Sequence, residues 1–203
     1  MATDLSLGVV QDGTNDSAPT AGWAEASAEV SAGGYTPNYR WNAIFRFTGV
    51  TIPNGSTINS AVIKLYGGAN WGSAPYDTII RGDNVDNSGV LSITHCLTSG
   101  WAATTAAPTW RIPAIVSDTQ YSSASIAAII TEITSRVGWT SGNAICIAFD
   151  AANFPTSGTT NYMPFRSLEY SSGTYKPLLV INYTEPAGGI VVPVFNSQYR
   201  RRW

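Results

Sequence analysis

The chain has 203 residues, of which 44% are hydrophobic and only 12% are charged, and its formal net charge is -2 at neutral pH. The charged share is roughly half of the usual value of about 25%, so Ser, Thr, Asn and Gly must cover most of the surface. This charge balance provides no basic field for nucleic acid, and no apolar run reaches the length of a membrane span. The opening residues also lack the features of a signal peptide.

The first 35 residues predict short strands separated by turns. Apolar and small or polar residues alternate over residues 4–9, which is the period of a strand with one buried face. Residues 11–20 contain an Asp-Gly and an Asn-Asp pair and predict a polar loop. Residues 26–30 indicate a second strand, which the glycines Gly33-Gly34 are expected to end.

Residues 40–66 hold the clearest pair of strands in the chain. Residues 53–56, Pro-Asn-Gly-Ser, have the composition of a turn, and residues 61–66 alternate again after it. We predict a β-hairpin, which cannot be stable alone and needs a second sheet over its apolar face. The apolar face of its first strand consists of Trp41, Ala43, Phe45 and Phe47.

An Asx-rich segment follows the strand predicted at residues 77–82. Its sequence over residues 83–89, DNVDNSG, is rich in oxygen ligands. An EF-hand loop needs ligands at alternate positions and a Glu at position 12, and neither requirement is met around Asp83 and Asp86. Two alternatives remain open, an irregular cation site at these two carboxylates or a plain Asx-rich turn.

The apolar period changes to that of a helix near residue 126. Residues 97–122 before it predict a long irregular crossing. Ser122, Ser123 or Ser125 is available as the N-cap and Gly138 as the stop, and the helix should cover one end or face of the sandwich. The apolar stripe consists of Ile126, Ile129, Ile130, Ile133 and Val137.

Three further segments predict the strands that complete the body, at residues 144–150, 164–169 and 178–183. The last of them is apolar on both faces, which is typical of a strand in the middle of a sheet. Cys146 lies in the first of them and is expected to be a small buried hydrophobe. A disulfide between Cys96 and Cys146, worth about 4 kcal/mol, is the alternative.

Parts of this pattern are similar to a known family. After the first strand the chain reads IPNGSTINSAVIKLY over residues 52–66, and the body closes on a Ser-x-Glu segment at residues 167–169 and on KPLLVINY at residues 176–183. Over about residues 4–184 the chain resembles the DNRLRE-type (disaggregatase-related) β-sandwich modules and the carbohydrate-binding modules grouped with them. The namesake Asp-Asn-Arg-Leu-Arg-Glu string is absent. The resemblance implies a jelly-roll-like sandwich of the kind found in secreted enzymes, surface proteins and phage structural proteins, some of which bind glycans.

The inventory of catalytic residue types is poor. His95 is the sole histidine, so an imidazole-rich metal site is excluded, and no G-x-S-x-G motif presents a nucleophile to it. We predict no enzymatic activity, no cofactor and no metal site. A carboxylate pair for glycoside chemistry is the alternative, and sequence does not show which of its candidates would face each other. These candidates are Asp77, Asp83, Asp86, Asp118, Glu132 and Asp150.

Aromatic residues in or beside loops indicate glycan binding. A flat ring can stack on the apolar side of a pyranose while neighbouring Asn and Asp side chains bind its hydroxyl groups. The alternative for each ring is a place at the open end of the sandwich core. The glycan-binding candidates are Trp71, Trp101, Trp110 and Tyr76.

The last segment, residues 186–203, differs in composition from the body. It begins with Pro-Ala-Gly-Gly, continues with an apolar stretch and ends in three arginines without an acidic residue. An exposed apolar segment needs a receiving surface, so we interpret this C-terminal arm as a docking element that adds a strand to a neighbour. A disordered end or a strand folded back on its own domain are the alternatives. The docking candidates are Ile190, Val191, Val192, Val194, Phe195, Tyr199, Arg200, Arg201, Arg202 and Trp203.

Together these features predict an all-β, jelly-roll-like β-sandwich over residues 1–185, with one short amphipathic helix and the extended C-terminal arm. The expected function is that of a non-enzymatic structural protein of an assembled particle, most concretely a phage capsid decoration (cement) or head-fibre protein in the virion. It would form homo-oligomers, with a trimer as one option, and contact a capsid protein and cell-surface glycans. The alternative is a carbohydrate-binding module of a secreted or surface protein.

Overall fold

A computed structural model describes the chain in seven segments, namely residues 1–16, 23–25, 28–36, 39–69, 75–98, 100–151 and 161–187. They form two β-sheets, one α-helix, α1 (Ala127–Thr134), and one 3-10 turn (Tyr170–Gly173). In chain order the strands are β1 (Ala2–Gly8), β2 (Gln11–Asp16), β3 (Trp23–Glu25), β4 (Glu29–Thr36), β5 (Tyr39–Phe47), β6 (Thr57–Tyr66), β7 (Tyr76–Gly82), β8 (Thr109–Ile112), β9 (Gln120–Ser122), β10 (Ile145–Asp150), β11 (Asn161–Arg166) and β12 (Leu178–Thr184).

The smaller sheet has four antiparallel strands in the order β1-β12-β6-β9. β12 lies between β1 and β6, which confirms the central position predicted from its apolar composition. Its residues Leu179, Ile181 and Tyr183 are buried in the core, while the residues between them are only partly buried. The first and last strands of the body are therefore paired with each other.

The larger sheet has eight strands, with the main path β11-β4-β5-β10-β7-β8 and with β2 pairing both β5 and β3. The core between the two sheets is aromatic on this side. Phe149 has its ring centroid 5.4 Å from those of both Phe45 and Trp110, and 6.1 Å from that of Phe165. The predicted all-β sandwich with one short helix is confirmed.

The predicted hairpin of residues 40–66 is wrong. β5 belongs to the larger sheet and β6 to the smaller one, so the turn at residues 53–56 is part of a crossing between sheets. Val50 and Ile52 in this crossing are fully buried in the core. Alternation identified which face of each strand points into the core between the sheets, but it carries no information about which strand is the hydrogen-bonded partner.

Three segments predicted as loops or breaks contain strands. Residues 11–16 form β2, β4 continues through Gly33 and Gly34, and residues 97–122 contain β8 and β9. Pairing with the centre of the larger sheet outweighs the local turn preference, since β2 pairs with β5 along residues 11–16 and Gly33 pairs with Trp41. Turn-forming residues are thus compatible with strands where tertiary pairing supplies the hydrogen bonds.

Helix α1 packs on β6 and β7, one strand from each sheet, and so covers a side of the sandwich as predicted. It ends at Thr134, earlier than predicted, and the Asn54 side chain donates hydrogen bonds to the carbonyls of Thr134 (3.1 Å) and Arg136 (2.8 Å) at this end. Val137 is consequently fully exposed and does not belong to the stripe. The fully buried members of the stripe are Ile126, Ile129, Ile130 and Ile133.

None of the predicted serines occupies the N-cap position of α1, although the Ser125 hydroxyl accepts a hydrogen bond of 3.4 Å from the backbone N–H of Ala127 in the first turn. Ile126 occupies the N-cap position without a side-chain hydrogen bond. The Ser123 hydroxyl instead accepts a hydrogen bond from the backbone N–H of Ile63 at 2.9 Å, which ties the segment before the helix to β6. No helix in the part of the chain that the structure describes has the length and apolarity to cross a membrane.

Residues 83–103, which we call the loop cover, lie over the outer face of the larger sheet; residue 99 is not among the described residues. The ends of the loop cover meet at an isolated bridge between Asp83 and Ala103. Beneath it lies a second apolar cluster of Ile44, Leu91, Cys96, Cys146 and Ala148. β5 and β10 are therefore buried on both faces, which the single buried face predicted for β5 did not anticipate. Both cysteines are buried and neither forms a disulfide, so the disulfide alternative is wrong and the prediction for Cys146 is confirmed.

Candidate functional site

Two of the four predicted glycan-binding rings lie inside the protein. Trp110 and Tyr76 are each 7% exposed, on the adjacent strands β8 and β7. Trp110 packs against Phe149 and Phe165, and the Tyr76 hydroxyl donates a hydrogen bond to the carbonyl of Ala32 at 2.6 Å. Neither ring has a free face for stacking on a sugar, which corrects the prediction for these two residues.

Of the remaining predicted site residues, the structure describes only Trp101. Trp101 is partly exposed and packs on the cluster under the loop cover, with its Nε1 atom buried and without a hydrogen-bond partner among the described residues. Trp71 lies outside the described residues. The whole set of docking candidates in the C-terminal arm also lies beyond residue 187, where the description ends.

A pocket of about 310 Å³ opens on the outer face of the larger sheet, beside the cluster under the loop cover. Three neighbouring strands, β5, β10 and β7, form its floor, and the loop cover forms one wall. We call it the outer-face pocket. It is lined by Arg40, Asn42, Arg81, Leu97, Thr98, Ala103 and Asp150.

The period of the strands explains why these polar residues converge. Arg40 and Asn42 on β5 occupy the same face as Ile44, because every second residue of a strand points the same way. Antiparallel pairing places Asp150 of β10 between β5 and β7, with Ala148 directly opposite Arg81. The pocket therefore lies on the same sheet face as the second cluster. Where the loop cover ends, the side chains on this face change from apolar ones to the polar and charged ones of the pocket.

The polar groups of the outer-face pocket are held by specific hydrogen bonds. Arg81 Nε lies 2.8 Å from Asp150 Oδ2, with 29% and 13% of the two side chains exposed. Asn42 is 2% exposed, and its Oδ1 accepts a hydrogen bond from the backbone N–H of Ala151 at 2.9 Å. These bonds orient the Arg81 and Asn42 side chains before any ligand arrives, which lowers the entropic cost of binding.

A second polar group lies beneath the loop cover. The Ser88 hydroxyl donates to Asp83 Oδ2 at 2.5 Å, and His95 Nε2 lies 3.2 Å from the same carboxylate oxygen and 3.4 Å from the Ser88 hydroxyl. Burial raises the pKa of the Asp83 carboxyl above its ordinary value, while the Ser88 hydroxyl and His95 act to lower it. This buried group joins the beginning of the loop cover to its middle.

The arrangement of these residue types does not match a nucleophilic triad. In a triad the histidine lies between serine and aspartate and uses one ring nitrogen for each, whereas here one nitrogen faces both and the serine donates directly to the aspartate. Burial raises the pKa of the neighbouring Cys146 thiol to about 12, so this thiol is not an activated nucleophile either.

The Asx-rich segment at the start of the loop cover uses its carboxylates in protein contacts. Asp83 binds Ser88 and His95, and Asp86 Oδ1 lies 2.6 Å from Arg136 Nε. Within the described residues no three His, Cys, Asp or Glu side chains converge as a metal ion would require. These contacts fit a plain Asx-rich turn, and the cation site stays an untested alternative.

Sequence reasoning named Asp150 only as one of many carboxylates and missed the other residues of the outer-face pocket. Arg40 and Asn42 were assigned correctly to one face of a strand, and this face was expected to be exposed. The available signal was the alternation itself, since charged and amide side chains recur on one face of β5. The chain matches no protein-family model and no curated protein, so its resemblance to the DNRLRE-type modules stays a prediction.

Proposed function

We propose that the chain is a non-enzymatic structural protein of an assembled particle, most concretely a phage capsid decoration (cement) or head-fibre protein. In this proposal it forms homo-oligomers in the virion and docks on a neighbouring chain or capsid protein through its C-terminal arm. One observation carries the proposal: β12, the final strand among the described residues, ends at Thr184 with both of its edges already paired.

The position of β12 is the basis of this observation. β1 and β6 each pair with all residues from Leu178 to Thr184, so both edges of β12 are occupied. Residues 185–187, which follow directly, are exposed. The apolar segment 190–195 begins only a few residues later, and an apolar segment in water favours aggregation unless a surface receives it.

The sheets of the described body offer edges that could receive such a segment. β1 is the longest edge strand of the smaller sheet and is paired on one side, by β12. Strand addition to an unpaired edge supplies a full row of backbone hydrogen bonds, and alternate side chains then provide specificity. We propose the β1 edge of a neighbouring copy as the receiving surface in a homo-oligomer.

Removal of residues 188–203 tests this proposal. We expect the full chain to be oligomeric by native mass spectrometry and the truncated chain to be monomeric, with an unchanged far-UV circular dichroism spectrum. Removal of residues 198–203 alone keeps the apolar segment and measures how much the arginine-rich end contributes to docking. A monomeric full chain, or an oligomer that survives the longer truncation, would contradict the proposal.

A second candidate function, a carbohydrate-binding module of a secreted or surface protein, is favoured by the outer-face pocket. Its volume of about 310 Å³ is at the lower end of small-ligand sites, and oriented polar side chains line it. A glycan array with the full chain and with the chain lacking residues 188–203 separates the two candidates. Strong binding by both proteins would favour the module, and binding by neither would exclude it.

A further inference from the structure

The outer-face pocket contains hydrogen-bond donors that the protein does not use. Arg81 donates through Nε to Asp150, and its two terminal amino groups form no hydrogen bond with the described residues. The Asn42 side chain accepts a bond through Oδ1, and its Nδ2 group likewise has no partner in the described part of the chain. Asn42 is 2% exposed and lines the pocket, so its side chain is held in place with the Nδ2 group available to an acceptor on a ligand.

The charges that line the pocket favour a single negative charge on the ligand. Arg40 and Arg81 contribute two positive charges and Asp150 one negative charge, which leaves a net charge of one positive unit. A monoanion balances this charge, whereas a dianion such as phosphate would also face the Asp150 carboxylate at close range. The free edge of a guanidinium group matches the two oxygens of a carboxylate in a bidentate geometry.

The remaining lining groups suit a sugar ring. Asp150 presents carboxylate oxygens that accept hydrogen bonds from hydroxyl groups, and Thr98 adds a hydroxyl to the loop-cover wall. Leu97 and Ala103 provide apolar contact on the same wall. A pyranose has this combination of hydroxyl groups at its edge and C–H groups on its faces, and the pocket volume is sufficient for one ring.

We propose that the outer-face pocket binds a carboxylate-bearing sugar, a hexuronate, with its carboxylate against the terminal amino groups of Arg81 and the Nδ2 group of Asn42. One of its hydroxyl groups donates to Asp150. This inference names the ligand class of the second candidate function and rests on that function. It does not depend on the C-terminal arm, and a particle protein that attaches to acidic glycans would use the same pocket.

Titration of the full-length protein with D-glucuronate and D-galacturonate, followed by NMR chemical shifts or calorimetry, tests the inference. Glucose and galactose are the neutral counterparts, acetate is the carboxylate without the sugar, and inorganic phosphate is the dianion. We expect at least one hexuronate to bind about tenfold or more tightly than its neutral counterpart, and more tightly than acetate or phosphate.

Three substitutions assign the binding to the pocket. Arg81→Gln should weaken hexuronate binding about tenfold or more, and Arg81→Lys should retain part of the affinity because it keeps the charge and loses the bidentate edge. Asn42→Asp keeps an acceptor for Ala151 and replaces the Nδ2 donor by a negative oxygen, so it should abolish binding. Arg111→Gln is the control, since Arg111 is 63% exposed on β8 and does not line the pocket.

The outcomes separate this inference from the function on which it rests. Equal binding of neutral sugars and hexuronates, lost in Arg81→Gln, would overturn the carboxylate assignment and retain a glycan-binding function. Tighter binding of acetate or phosphate than of any hexuronate would overturn the sugar assignment. Absence of binding to every probe would overturn both. Thermal unfolding of each variant verifies that loss of binding is not loss of fold.

Discussion

Arg166 and Arg81 lie on the same large sheet and use their guanidinium groups in opposite ways. Arg166 Nε donates to Asp118 at 2.8 Å, Nη1 to Glu29 at 2.9 Å and Nη2 to Ser117 at 2.9 Å. Its guanidinium carbon also lies 3.8 Å from the ring centroid of Tyr170. Among the described residues, the Arg81 guanidinium group makes one hydrogen bond, to Asp150. The first arginine joins segments of the chain, and the second retains donors for a ligand.

The ratio of arginines to carboxylates is reversed between the two regions. Around Arg166 two carboxylates, Glu29 and Asp118, face one guanidinium group. In the outer-face pocket two arginines accompany the single carboxylate of Asp150. A region in which every guanidinium nitrogen donates and two acids surround the cation contributes to stability, whereas a region with unused donors and excess positive charge contributes to binding. The following substitutions test this distinction.

The largest loss of stability is expected for Arg166→Met, which keeps most of the side-chain length and removes every donor. Glu29 and Asp118 would lose their common partner, and the Arg166 side chain is only 10% exposed. We expect the free energy of unfolding in urea to fall by about 3 kcal/mol. The control Arg111→Met, at an exposed ion pair, should cost less than about 1 kcal/mol. Similar losses for both variants would contradict a structural role specific to Arg166.

Ile44→Ala should lower the stability by about 2–3 kcal/mol, because it removes a fully buried side chain beneath the loop cover. It should also weaken hexuronate binding, since the loop cover supplies one wall of the pocket. Ile63→Ala, in the core between the sheets, is the matched control and should cost similar stability without changing the affinity of the folded protein. Equal hexuronate affinities of the two variants would show that the loop cover does not contribute to the pocket.

Asp83→Asn should change how stability depends on pH. Because the folded-state pKa of Asp83 is raised, its contribution is fully present below the ordinary value of 3.8 and is lost as pH rises through the raised value. We therefore expect that, as pH rises from 3.8 through the raised pKa of Asp83, the unfolding free energy of the Asn variant falls less than that of the native chain. Val90→Ala, an exposed change in the same loop, is the control. Parallel pH curves for Asp83→Asn and the native chain would contradict the prediction.

Arg81→Gln should have the smallest effect on stability, less than about 1 kcal/mol, because its ion pair with Asp150 is partly exposed and its other donors are unused. Urea unfolding of this variant beside Arg166→Met gives the direct comparison of the two arginines. A loss close to that of Arg166→Met would show that Arg81 is a structural residue, and the distinction between the two regions would fail.

Much of the secondary structure was predictable, since burial of one face imposes a period on the chain. The isoleucine stripe of α1 followed directly from that period, whereas the central position of β12 followed from a sequence that is apolar on both faces. The errors concern partners and endpoints. β5 and β6 were assigned to one sheet, whereas they belong to two. Val137 was assigned to α1, which ends at Thr134.

The candidate site was less predictable, because it also depends on which strands pair. Tyr76 and Trp110 were predicted to be exposed rings because they lie in or beside predicted loops. Pairing of β7 with β8 instead places both rings in the core. The loop cover, which shields Ile44 and Cys146, also could not be anticipated from its polar sequence. The docking role of the C-terminal arm stays a prediction.

The amino-acid sequence alone determined that this chain forms strands with buried apolar faces, one amphipathic helix and a surface poor in charge, because these properties depend on local period and composition. Tertiary structure decided which strands pair, and with them the outer-face pocket. Its polar residues Asn42, Arg81 and Asp150 are far apart in the chain and meet only because β5, β10 and β7 are neighbours in the sheet. Such long-range pairing leaves no local signal in the sequence.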